Sequence, residues 1–99
     1  MIRHIVMFRF RSDVDEETRR QVREQFRSDI LSLRSQLNFI RSLEVGFNIN
    51  PEEAWDICLE SSFDSMDDLH TYSNFPNHRA AAARLKPYLD GRCCVDHEV

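Results

Sequence analysis

The opening of the chain limits its fold more than any other stretch. From Ile2 to Phe10 it reads Ile-Arg-His-Ile-Val-Met-Phe-Arg-Phe, so Ile2, His4, Val6, Phe8 and Phe10 form one row and Arg3, Ile5, Met7 and Arg9 the other. A period of two marks a strand, and apolar side chains in both rows call for a sheet covered on both faces. The period then changes. Val22, Phe26, Ile30, Leu33 and Leu37 recur at helical intervals behind N-cap candidates in Ser12-Asp13-Val14-Asp15, which predicts an amphipathic helix over roughly 15 to 37. Its other faces carry Arg19, Arg20, Arg23, Glu24, Arg27 and Arg34, read as a solvated surface.

From residue 40 the period returns to two. Leu43, Val45 and Phe47 face opposite Ser42, Glu44 and Gly46, and the strand ends near Asn48. Turn chemistry in Asn48-Ile49-Asn50-Pro51 leads to a third alternating run, with Trp55, Ile57, Leu59, Ser61 and Phe63 on one side. Ser65-Met66-Asp67-Asp68 has the form of a capping box and opens a short helix that turns Met66 and Leu69 inward and reaches about Tyr72. Pro76 interrupts it, a further helical segment runs from Asn77 to Lys86, Pro87 closes that, and Gly91 to Glu98 gives a last strand. The order β-α-β-β-α-β, with a broken second helix, is the ferredoxin-like α+β pattern: a four-stranded antiparallel sheet with helices on one face. Ile5, Met7 and Cys58 then lie on the face the helices leave open, and pairing of two such faces in a homodimer would cover them.

With 99 residues, residues 1–99 are expected to form a single domain, and a chain this short buries only about 60 to 65% of its unfolded surface. Thirteen Lys and Arg against 17 Asp and Glu, a net charge of −4, provide no basic stripe, so no nucleic-acid partner is expected. No run approaches the ~20 apolar residues of a membrane span, and charges interleave from Arg3 onward, unlike a secretory leader; no membrane partner and a cytoplasmic location are expected. Cys58, Cys93 and Cys94 are odd in number and lack a C-x-x-C spacing, so they read as reduced thiols. Asp56, Glu60, Asp96, His97 and Glu98 show no metal-ligand spacing; no metal and no cofactor are expected, and Glu60, Asp96 and Glu98 read as solubilising strand-edge residues.

Several segments taken together resemble a known family. Ile2 to Phe10, Leu43-Glu44-Val45-Gly46, Phe63-Asp64-Ser65-Met66-Asp67-Asp68-Leu69 and Tyr72-Ser73-Asn74-Phe75-Pro76-Asn77-His78 are similar to the stress-responsive A/B barrel domain (Dabb) family, over nearly the whole chain. The resemblance implies a dimeric α/β barrel. Many members are small dimers of unknown activity, and a few resemble cofactor-free polyketide cyclases with a pocket between sheet and helices. Matching those members places His4, Tyr72 and His78 at the pocket and Ile57 where they present a further histidine.

Each of these residues admits a structural and a chemical reading. His4 would either tie the first strand to Pro76-Asn77-His78 by a hydrogen bond or hold His78 in one tautomer. His78 would either orient the broken helix or act as a general base next to a carbonyl, with Tyr72 as a core aromatic or an oxyanion donor. Two functions follow: a homodimer whose small apolar pocket binds a small molecule without catalysis, and a cyclase-like lyase using His78, Tyr72 and His4. A cofactor-free monooxygenase is a third, by analogy of fold alone. His70 is expected at the surface and His97 at a strand end.

Overall fold

The computed structural model describes residues 1–99. Along the chain lie β1 (Ile2–Phe10), α1 (Glu16–Leu31), β2 (Ser42–Phe47), β3 (Ile57–Phe63), α2 (Met66–Asn74), α3 (Pro76–Leu85) and β4 (Leu89–Glu98), with 3₁₀ turns at Ser32–Ser35 and Lys86–Tyr88. The strands form one antiparallel sheet in the order β2-β3-β1-β4, the ferredoxin-like arrangement expected from the sequence. No helix is long and apolar enough to cross a membrane.

Local chemistry accounts for the element ends. The Asp15 carboxylate accepts from the Thr18 N–H at the start of α1, and the Ser65 hydroxyl accepts from Asp68 N–H at the start of α2. The first helix ends earlier than its apolar spacing implies. Ser32 and Ser35 turn their hydroxyls onto the carbonyls of Asp29 and Ser32, and the chain tightens into a 3₁₀ turn that still buries Leu33. At the other break, Phe75 is extended (φ −60°, ψ 132°), as a residue before proline prefers, and Pro76 starts α3 where its missing N–H costs no bond.

The inner face of the sheet carries Val6, Phe8, Leu43, Val45, Leu59 and Phe63, and packs against Phe26 and Ile30 of α1, Leu69 and Tyr72 of α2, and Leu85 of α3. Each such side chain withdrawn from water contributes roughly 1.5 to 3 kcal/mol. The outer face shows Ile5 and Met7 beside Cys58, Cys93 and Val95, the last 60% exposed.

Four further expectations about the fold and its surface need correction. Met66 is exposed, because the Ser65 cap fixes the phase of α2 so that Leu69 and Tyr72 point inward instead. Trp55 precedes β3 rather than starting it and stacks under the Arg9 guanidinium, 5.1 Å from its ring centroid. The arginines of α1 are not merely solvated. Arg19 lies over Phe10, and Arg23 and Arg27 lie over Phe47, so their stems cover the edge of the core. Finally, Asp96 is no free edge carboxylate, as described next.

Candidate functional site

Antiparallel pairing of β1 and β4 sets His4 opposite Asp96, and Val6 opposite Cys94, on the face beneath the helices. His4 is 5% exposed. Its Nδ1–H donates to the Asp96 carboxylate, so Nδ1 carries a proton and Nε2 is the nitrogen turned away from that bond. The Cys94 sulfur lies 3.5 Å from the same Nδ1 and 3.7 Å from Asp96 Oδ1. His4 therefore does not tie β1 to the Pro76-Asn77-His78 segment; the cross-strand register supplies a nearer partner.

His78 stands in the first turn of α3, just past the proline break. It does not cap that helix, whose N-terminus has no side-chain cap. Its Nδ1 is buried without a hydrogen-bond partner. Burial, with smaller contributions from His4 and Arg92, lowers the imidazole to about 4, the Ser73 carbonyl pulling weakly the other way. The ring is thus neutral at physiological pH. Tyr72 comes from the last turns of α2 and meets both imidazoles edge to face, at centroid separations of 4.5 Å from His78 and 6.3 Å from His4. It is fully buried, and its hydroxyl has no satisfactory partner, the nearby Ser61 hydroxyl being orphaned as well. Burial pushes the phenol up from its ordinary value, only partly offset by Ser61.

A cavity of about 710 Å³ opens beside this group, between the sheet and α3. Val6, Phe8 and Leu59 form its floor, Phe26 and Ala82 face them, and His4 and His78 stand in its wall. Tyr72 backs the histidines from within the core and does not line the cavity. Nor does Ile57, the counterpart of a third-strand histidine: it pairs with Phe8 and is buried in the core, while Leu59 supplies the β3 wall. At the mouth Arg79, Lys86 and Arg92 are exposed and have no carboxylate partner, whereas Asp90, also at the rim, is held by Arg9 at 2.7 Å. The structure thus brings His4 and His78 to one cavity, places Tyr72 behind them, and leaves His70 and His97 exposed elsewhere.

Two site features were not singled out from the sequence: Asp96 as the partner of His4, and the cationic mouth. Once β4 is paired with β1, the alternation of Arg92, Cys94 and Asp96 puts all three on the inner face, and that is the signal that could have found them.

A model of the stress responsive A/B barrel domain family matches residues 2–99. The chain belongs to the Dabb family. A dimeric ferredoxin-like protein of unknown function from Bacteroides fragilis is 41% identical, with a TM-score of 0.96 over 99% of this chain and 95% of its own. A second dimeric ferredoxin-like protein of unknown function, from Thermobifida fusca, is 25% identical, with a TM-score of 0.83 over 99% of this Dabb chain and 90% of its own. The hydroxynitrile lyase of Passiflora edulis shares the fold, at 19% identity and a TM-score of 0.77 over 97% of this chain and 90% of its own. No functionally curated protein matches the sequence.

Proposed function

We propose that this Dabb chain is a cytoplasmic, single-domain homodimer, paired through its open sheet face, whose cavity binds a small apolar molecule bearing an acidic group. The cavity carries this reading. Its apolar floor offers burial to a hydrocarbon or aromatic body, and the unpaired Arg79, Lys86 and Arg92 offer charge-assisted hydrogen bonds to a carboxylate left at the mouth. The His4 and His78 rings in the cavity wall add polar edges that suit a ligand hydroxyl. Dimerisation is supported by Ile5, Met7 and Val95 on one open face and by the dimeric state described for the similar Bacteroides and Thermobifida proteins. Three free thiols suit a reducing compartment.

A second reading, cyclase-like proton abstraction by His78, is favoured by one observation: a neutral imidazole in the cavity wall. It ranks lower. A base at about 4 has little driving force near neutrality, and Tyr72, which would donate to the oxyanion, is walled off from the cavity. The test is a thermal-shift panel pairing small aromatic and aliphatic carboxylic acids with their neutral amides. Binding as proposed raises the melting temperature for acids and much less for amides; equal or absent shifts across the panel would reject the acidic ligand class.

A further inference from the structure

We infer that His4 Nδ1, Cys94 Sγ and Asp96 Oδ1 form a site for a borderline-soft divalent cation, Zn²⁺ above all. The three atoms lie within 4.8 Å of one another, and they come from adjacent strands held in register. Cys94 and Asp96 are two apart on β4, hence on one face, and His4 is the cross-strand partner of Asp96. Little reorganisation is needed, because the backbone ladder already sets the spacing.

The spacing matches the ion. With Zn–S near 2.3 Å and Zn–N near 2.0 to 2.1 Å, a tetrahedral site separates sulfur from nitrogen or oxygen by about 3.6 Å. The Cys94 sulfur is 3.5 Å from His4 Nδ1 and 3.7 Å from Asp96 Oδ1. The one edge that must lengthen is the His4 to Asp96 hydrogen bond, whose proton the cation replaces. A nitrogen, sulfur and oxygen donor set selects zinc over magnesium or calcium. The charge also balances: thiolate and carboxylate neutralise the dication, and Arg92 is the only cation on that face of β4. His4 closes the site from the core side, while exposed Cys94 leaves an entry path and room for water as the fourth ligand.

The test uses the purified full chain, stripped with a chelator, dialysed and titrated with Zn²⁺, and with Co²⁺ as a spectroscopic probe. One ion per chain and a thiolate-to-cobalt charge-transfer band are expected. Cys94→Ser, whose side chain is exposed and whose fold is checked by circular dichroism, should lose the band and weaken zinc binding at least tenfold. The double variant C58S/C93S, altered on the opposite face, should bind as the wild type does. Failure of the wild type to bind, retention of the band in Cys94→Ser, or its loss in the Cys58 and Cys93 variant would each overturn the assignment.

Discussion

His4 and Asp96, 92 positions apart in the chain, face each other across the β1/β4 ladder, and the imidazole Nδ1–H donates to the carboxylate. The bond sets the tautomer of a buried ring and so determines what His4 shows the cavity. Asp96→Ala should cost about 1 kcal/mol of unfolding free energy in chelator-containing buffer, at the low end for a buried donor left unpaired because water reaches the partly exposed Asp96 position. Denaturant unfolding checks this; an unchanged midpoint would mean that the pair does not hold His4.

The pH dependence follows from His78. Folding depresses its imidazole from 6.5 to about 4, so the folded state favours the neutral ring. The stabilisation is complete above 6.5 and is lost as pH falls toward 4, because the unfolded chain takes up the proton first. The loss should be on the order of 2 kcal/mol for this partly exposed group. Urea unfolding of the wild type and of His78→Gln between these limits should show the flatter profile in the variant. Parallel profiles would place the His78 imidazole in water.

Tyr72→Phe removes a buried hydroxyl that lacks a satisfactory partner, so no good hydrogen bond is lost. The variant should melt at the same temperature as the wild type or higher, with ligand affinity unchanged. A twofold or greater loss of affinity would show that the hydroxyl reaches the ligand after all.

Met7→Lys places a charge at the centre of the open face, between Cys58 and Cys93. Sedimentation should give half the mass of the wild-type assembly, since an unpaired charge buried in an apolar interface costs several kcal/mol. An unchanged mass would locate the interface on another surface.

How much of this was legible in the sequence depends on the range of the interaction. Period and capping are local, so the strand at Ile2–Phe10, a cap for α1 within Ser12 to Asp15, the Ser65 cap and the break at Pro76 could all be read directly. The burial of His4 followed from sharing a row with Val6 and Phe8. What escaped was set at long range. Asp96 read as an edge carboxylate because its partner lies at the far end of the chain, and Tyr72 was expected at the pocket only from the family resemblance, which does not tell a pocket wall from the layer behind it. Leu33 sits on the apolar stripe of a continuous helix, yet Ser32 and Ser35 bend the backbone locally while keeping that side chain buried.

The central claim is that the cavity beside His4 and His78 takes an acidic apolar ligand, and one residue at its mouth tests it. Ala82 is exposed and faces the cavity from α3, so Ala82→Trp fills the entrance without disturbing the core. Calorimetric titration with the best acid of the panel should give one ligand per chain in the wild type and at least tenfold weaker binding in Ala82→Trp. Equal affinity in the two proteins would place the ligand elsewhere and contradict the account.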